Sequence, residues 1–247
     1  MDEKKIQQAI ELLCSADHVT VFTGAGISVE SGIPPFRGKN GIWNTIDPQI
    51  LEVGYFQKHP EVSWPLIKDI FFDTFKNAEP NTAHKNIATL ESMGIVKGII
   101  TQNIDNLHQR AGSKNVIEFH GNSRKIVCLK CHKYIEITEE LLDDLPPRCS
   151  YCSSVLKPDF VFFGESIPES AQSLSFQEAD LADVFLLIGT TGVIQPASQI
   201  PLDAKFNGAK IIEINTTPSE YTSMITDVFL QGKSTIMMEE ILKRIMR

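Results

Sequence analysis

The feature that most constrains this chain is a repeated pairing: short apolar runs, each ending in small, hydroxylated or amide residues. Val19–Thr23 breaks into Gly24-Ala25-Gly26-Ile27-Ser28, and the run from Ile95 to Thr101 ends in Gln102-Asn103-Ile104-Asp105. Val116 to Phe119 delivers His120-Gly121, Val184–Ile188 ends in Gly189-Thr190-Thr191-Gly192, and Lys210 to Ile214 ends in Asn215-Thr216-Thr217. The run Val184-Phe-Leu-Leu-Ile188 has no apolar-polar alternation, as expected of a strand buried on both faces of a parallel sheet. Open sheets of this kind bind ligands outside the carboxyl ends of their strands. The pattern therefore predicts an α/β fold, a Rossmann-like parallel sheet, with a pocket for a sugar and a base along one sheet edge.

The stretch from Ile99 to Gly121 holds the chemistry. It brings an amide, Asn103, a carboxylate, Asp105, and an imidazole, His120, to the ends of two consecutive strands. Taken singly, Asn103 and Asp105 also suit helix caps, and His120 suits a turn. The turn Gly24-Ala25-Gly26 follows a strand and precedes a predicted helix start, the setting of a phosphate-cradling loop. It lacks a full dinucleotide fingerprint, because Val29 stands where the third glycine would be. The prolines of Gly32-Ile-Pro-Pro-Phe-Arg37 forbid regular helix. In that loop Arg37 could meet a phosphate and Phe36 cover a ring, or both could be a solvated arginine and a core phenylalanine.

Helical stripes flank these runs. Ile6, Ala9, Ile10 and Leu13 make one near the start, with Cys14 expected to be buried. Asn81 is placed to cap a helix ended by Gly94, and Ser234 to cap the last helix. From Gly41 to Asn77 the chain is rich in aromatic residues and cut by Pro48, Pro60 and Pro65, which reads as an inserted helical module of mostly core rings. Phe160–Phe163 reads as a short strand ending in Gly164-Glu165.

Two CxxC pairs, Cys128/Cys131 and Cys149/Cys152, are separated by 17 residues. That spacing suits a four-thiolate zinc site, and a full set of protein ligands makes it structural rather than catalytic. A disulfide pairing is the alternative; the expected cytoplasmic location argues against it. Residues 122–157 are then a zinc-ribbon insertion.

Composition limits the partners. The chain has 247 residues, enough for a sizeable core, and a net charge of -8. Negative charge disfavours direct nucleic-acid binding and suits basic protein tails better. No run approaches the roughly 18 apolar residues of a membrane span, and the N-terminus lacks the signature of a signal peptide. No membrane partner is expected.

GAGIS28, SGIP-x-FRG38, TQNID105-x-LHQRAG112, EFHG121, the two CxxC pairs, FGE165, GTT-x-VIQPA197 and IN215 together resemble the sirtuins, NAD-dependent protein-lysine deacylases, over about Val19 to Lys233. The resemblance implies a single catalytic domain. Its large lobe would span about 1–36, 84–121 and 158–247, and its small lobe the helical module, about 37–83, with the zinc ribbon, about 122–157. NAD would meet Gly24, Ala25, Gly26, Ser28, Val29, Phe36 and Arg37 at the diphosphate and nicotinamide ribose, and Gln102, Asn103, Ile104 and Asp105 at the nicotinamide. Gly189, Thr190, Thr191, Asn215, Thr216, Lys233 and Ser234 would surround the adenosine. His120 would be the general base, with Asn103 also catalytic. An acetyl-lysine peptide would lie as a strand between Val161-Phe162-Phe163-Gly164-Glu165 and Gly192-Val193. Zn2+ would be held by Cys128, Cys131, Cys149 and Cys152. The implied reaction consumes NAD and gives free lysine, nicotinamide and O-acetyl-ADP-ribose.

Three positions depart from the family pattern: Pro35 stands where Asp is usual, GTT replaces GTS, and Gly192 replaces a larger residue. The Tyr-x-x-Arg of members that prefer succinyl-lysine is absent from Trp64 to Asn77, which implies a preference for uncharged acyl groups. The rival readings are a nicotinamide dehydrogenase, an ADP-ribosyltransferase using the same site, and a non-catalytic zinc-ribbon adaptor.

Overall fold

The structure is a computed structural model describing residues 2–38 and 40–247. Six strands form one parallel sheet: β1 (Val19–Thr23), β2 (Val96–Thr101), β3 (Val116–Glu118), β7 (Val184–Ile188), β8 (Lys210–Asn215) and β9 (Val228–Gln231). The spatial order is β3-β2-β1-β7-β8-β9. The chain thus builds outward from β1 in one direction and, beginning with β7, outward in the other. The order reverses between β1 and β7, where open α/β sheets form their ligand crevice.

Every residue of β1 and of β7 is buried, which explains the unbroken apolar run of β7 and the absence of charged residues from β1. Helices cover both faces. Glu3–Ser15, Thr82–Ser92 and Ser234–Ile245 pack on one face, and their residues Leu13, Ile87 and Met238 share a core with Val21 and Leu186. Glu169–Leu181 and Gln199–Phe206 cover the other, around Phe22, Phe185 and Leu187.

Strands β4 (Gly121–Cys128), β5 (Tyr134–Glu136) and β6 (Leu156–Phe160) make a separate antiparallel sheet in the order β5-β4-β6. Its core is continuous with the short helices between residues 42 and 76. Trp64 ties the two parts together: its ring is fully buried and its Nε1–H donates to the Leu156 carbonyl at 2.8 Å. Phe56 meets Phe162 edge-on at 5.2 Å, and Phe71 lies 4.9 Å from Phe160. These rings are core, as their prevalence in the sequence suggested.

Some local expectations fail for physical reasons. The strand expected at Phe160–Phe163 lies earlier, at Leu156–Phe160, where it pairs with β4; beyond it, Phe163 makes an isolated parallel bridge to Glu52. Ser234 is the first helical residue rather than the cap; Lys233 holds the cap position without a side-chain bond of its own, and the Glu30 carboxylate accepts from the Thr235 amide instead at 3.2 Å. Cys14 is exposed, one step off the buried stripe of its helix. The segment after Gly24 is a 3₁₀ helix, Ala25–Ser31, not an α-helix. Asn81 caps as expected, accepting from the Ala83 amide at 2.9 Å, and its Nδ2 also donates to the Ile27 carbonyl at 2.7 Å.

Gly189 closes the switch point. Its φ is +63°, and a Cβ there would lie 2.4 Å from the Ile27 nitrogen. Gly189→Ala is expected to lower stability by about 3 kcal/mol, roughly 10 °C in Tm. Gly208 also has positive φ but open space around it, so Gly208→Ala should lower stability by only about 1 kcal/mol. Thermal unfolding of the two variants checks the difference.

Candidate active site

The turns after β1 and β7 touch through their backbones. The Gly26 N–H donates to the Gly189 carbonyl at 2.9 Å, and the Gly189 N–H donates to the Ile214 carbonyl at 3.0 Å. Gly24 and Gly26 are needed for this approach, since a Cβ on either would fall 2.8 Å or less from an atom of Gly189. Side chains from β2 fill the crevice floor. The Asn103 amide donates to the Gly24 carbonyl and to Ser28 Oγ, each at 3.1 Å. Ser28 passes its own proton to Asp105 Oδ2 at 2.6 Å, and the Leu107 amide donates to Oδ1 at 3.0 Å. Asn103, Ser28 and Asp105 are all buried. Burial pushes the Asp105 carboxyl above the usual range, against the opposing hydrogen bonds from Ser28 and Leu107.

His120 follows β3. Its Nδ1 lies 3.1 Å from the Gln102 carbonyl, which can only accept, so Nδ1 carries the proton and Nε2 keeps its lone pair. Burial lowers its pKa from the ordinary histidine value. Gln102 Nε2 donates to Thr190 Oγ1 at 3.1 Å, and Asn215 Nδ2 to the Thr190 carbonyl at 2.8 Å. Four strand ends, those of β2, β3, β7 and β8, are therefore joined by side-chain bonds.

Not every residue expected at the site sits alike. Gln102, Asn103, Ile104, Asp105, His120, Gly189, Thr190 and Asn215 converge on the crevice through these strand ends, while Thr191 and Thr216 lie exposed just beyond them. Phe36 is half-buried and stacks on Trp43 at 5.4 Å; Arg37 is exposed. Val29 is exposed on its 3₁₀ helix. Lys233 lies 3.4 Å from Glu30, whose other oxygen accepts from Thr235. The Ser234 hydroxyl is buried with no partner among the described residues. Phe162 is committed to the small core, whereas Phe163 and Val193 are exposed. Gly192 has φ +80°, and a Cβ there would meet the Tyr221 ring at 3.0 Å, so a larger residue does not fit this loop.

A pair of histidines beneath the floor escaped the sequence reading as a site feature. His108 Nε2 bonds Thr23 Oγ1 at 3.0 Å, Thr23 donates to Thr101, and Thr101 accepts from the Asn103 amide. The His84 ring meets His108 edge-on at 4.9 Å. Burial pushes both imidazoles down, His84 to about 4, so both are neutral at pH 7. His108 lies inside the LHQRAG motif, but its partners Thr23 and His84 are distant in the chain, so no local signal marks it as part of the site.

The cysteines form a second centre. Their four sulfurs lie within 4.8 Å of one another; Cys128 and Cys152 are 3.4 Å apart, and Cys131 and Cys149 are 3.7 Å apart. Bonds of about 2.3 Å to one tetrahedral ion require sulfurs about 3.8 Å apart, so the set fits zinc. Both hairpins repeat one turn: His132 and Ser153, each following its second cysteine, take positive φ and return an amide to the carbonyl of Cys128 or Cys149 at 2.8 Å. Backbone N–H groups, foremost that of Cys131, pull the Cys128 thiol down to about 6. None of the five cysteines forms a disulfide.

A doubly wound sheet with polar strand ends at its switch point, joined to a four-cysteine ribbon, defines a nucleotide-type crevice beside a structural metal site. The Sir2 family profile matches residues 24–196, from the glycine turn after β1 through His120 and the four cysteines to the turn after β7. The NAD-dependent protein deacylase 2 of Pyrobaculum aerophilum is 42% identical over 241 residues, covering 96% of this chain and 94% of its own. A solved Sir2 homologue–NAD complex is 39% identical, with a TM-score of 0.90 over 97% of this chain and 93% of its own. A solved Sir2–p53 peptide–NAD+ complex is 32% identical, with a TM-score of 0.90 over 97% of this chain and 98% of its own. The chain belongs to the Sir2 family. Among the described residues, no helix is long and apolar enough to cross a membrane.

One zinc per chain is expected by elemental analysis. Cys149→Ser should lose that metal and lower Tm by about 10 °C or more, because metal binding and folding of the ribbon are coupled. Full zinc content in the variant would contradict the four-thiolate site.

Proposed function

We propose that this chain is an NAD-dependent protein-lysine deacylase, taking an acyl-lysine peptide and NAD in the crevice between the β1 and β7 ends. The observation that carries the reading is His120: an imidazole with Nδ1 engaged by the Gln102 carbonyl, Nε2 free, and a lowered pKa. Such a group accepts a proton at neutral pH without first having to lose one. The relatives' names supply the substrates, NAD and an acylated protein.

In this reading the acyl-lysine plus NAD and water give lysine, nicotinamide and O-acyl-ADP-ribose. NAD supplies the electrophilic ribose carbon and leaves as nicotinamide plus the acylated sugar. The buried Asn103–Ser28–Asp105 network orients the nicotinamide side of the crevice and excludes water from it. Thr190, Thr191, Asn215, Thr216, Lys233 and Ser234 border the adenosine, and Gly24 to Val29 with Phe36 and Arg37 border the diphosphate. His120 Nε2 takes a proton from a ribose hydroxyl so that its oxygen can receive the acyl group. The peptide lies between Val161–Glu165 and Gly192-Val193. We further read the chain as two lobes, the six-stranded sheet with its covering helices, and the zinc ribbon with the helical module, counting β6 with the small lobe.

The test is to incubate the protein with NAD and an acetyl-lysine peptide and follow both products. Nicotinamide and deacetylated peptide are expected in equal amounts. His120→Ala should lower kcat/KM about 1,000-fold. The low imidazole pKa places the acid limb of the wild-type rate below the ordinary histidine value of about 6.5, since the base is lost only when Nε2 binds a proton. Nicotinamide release without deacetylation would favour NAD hydrolysis or ADP-ribosyl transfer instead.

Acyl preference follows from the helical module. Its cations between Trp64 and Asn77 are Lys68, paired with Asp73 at 2.8 Å, and Lys76, paired with Glu139. Neither is free for a second carboxylate, so acetyl-lysine peptide should be turned over at least about tenfold better than succinyl-lysine peptide. A ratio of about two or less would contradict this.

A further inference from the structure

Among the described residues, Lys157 is the one buried lysine, with a side chain 4% exposed. Its Nζ donates to the Pro158 carbonyl at 2.9 Å, to the Phe160 carbonyl at 2.6 Å and to Glu165 Oε2 at 3.0 Å. All three ammonium donors are used, and the charge lies 4.1 Å from the centre of the Phe162 ring. Glu165 Oε2 also accepts from the Phe162 amide at 2.7 Å, while the Glu165 amide returns to the Phe162 carbonyl at 3.0 Å. A buried lysine paired this completely ties the end of β6 to the far end of the following loop.

That loop is otherwise pinned on one side. The Val161 amide donates to the His120 carbonyl at 2.9 Å. Phe163 donates to the Leu51 carbonyl at 2.8 Å, and its own carbonyl accepts from Val53 at 3.0 Å. Gly164, with φ +88°, has neither its N–H nor its carbonyl engaged among the described residues. An extended peptide would find its open backbone edge there, and the position of that edge depends on the knot that Lys157 makes on either side of it.

We propose that Lys157 is a positioning residue for the acyl-lysine peptide: with Glu165 it forms a buried latch that holds the Gly164 edge in register with His120. The inference rests on the deacylase reading and adds the element that sets peptide affinity. Breaking a fully paired buried charge leaves its partner stranded, so loss of either member loosens the loop. Arginine can keep the charge and several donors, whereas methionine keeps only the volume.

The experiment compares wild type with Lys157→Met, Lys157→Arg, Glu165→Gln and the Met/Gln double variant. Steady-state kinetics with acetyl-lysine peptide and NAD are read beside ADP-ribose affinity and zinc content. Lys157→Met is expected to raise the peptide KM about tenfold, with the NAD KM, ADP-ribose affinity and zinc content within about twofold of wild type. Lys157→Arg should recover most of the loss. The double variant should be no worse than Lys157→Met, because the two residues act as one unit.

An unchanged peptide KM in zinc-loaded Lys157→Met would overturn the latch, as would an equal rise in the NAD KM, which marks general loosening. Should Lys157→Met fail to fold, Glu165→Gln decides: a peptide KM raised several-fold with ADP-ribose affinity intact supports the latch, and wild-type kinetics overturn it. A wild-type protein without NAD-dependent deacylation overturns the underlying reading and the latch together. An active wild type with an indifferent Lys157 overturns only the latch.

Discussion

Gly24 and Gly26 press against Gly189 at the point where the sheet changes direction. With the first two residues of that contact on the turn after β1 and the third on the turn after β7, two loops share one backbone surface, leaving no room for a methyl group between them. The contact brings the ends of β1 and β7 close enough for β2 and β8 to join from either side. Asn103 can then bond the Gly24 carbonyl, and Gln102 and Asn215 can both reach Thr190. Without that approach, the buried network of Asn103, Ser28 and Asp105 would open to water and lose the geometry that makes it a site.

The second sheet contributes through its attachment to this centre. His120 lies two residues beyond β3, and β4 begins at Gly121, so the imidazole sits where the chain leaves one sheet for the other. The His120 carbonyl accepts from Val161, the residue immediately after β6. His120, the base we propose, and the loop read as the peptide site are thus joined by a single backbone hydrogen bond. The cysteine cluster, the Trp64 bond to Leu156 and the buried Lys157 stabilise the small sheet rather than take part in proton transfer. Their contribution is to fix where that loop stands relative to Nε2 of His120.

Most of this was legible in the residues because the signals were redundant. Unbroken apolar runs announced a doubly covered parallel sheet, and their polar endings announced the crevice. The cysteine spacing foretold the sulfur cluster. What stayed hidden was decided by contacts distant in sequence. Lys157 reads as the last residue of the ribbon insertion until Glu165 and two carbonyls are folded around it. His84 and His108 lie 24 residues apart in sequence and become a pair only when their helices pack beside β1. Local signals also misled: Phe160–Phe163 has the composition of a strand, but antiparallel pairing with β4 stops at Phe160, and the next residues turn toward His120. Ser234 has the character of a cap, yet it enters the helix as its first residue while Glu30 reaches across to Thr235.

The most direct measurement of the central claim is a crystal structure of the wild-type protein with a non-cleavable NAD analogue and an acetyl-lysine peptide. The account predicts the nicotinamide ribose within hydrogen-bond reach of His120 Nε2, the carboxamide against Asn103 and Asp105, and the peptide backbone paired with Gly164 on one side and the Gly192 loop on the other. A dinucleotide bound away from the β1–β7 switch point, or a peptide seated outside the cleft between the two sheets, would contradict it.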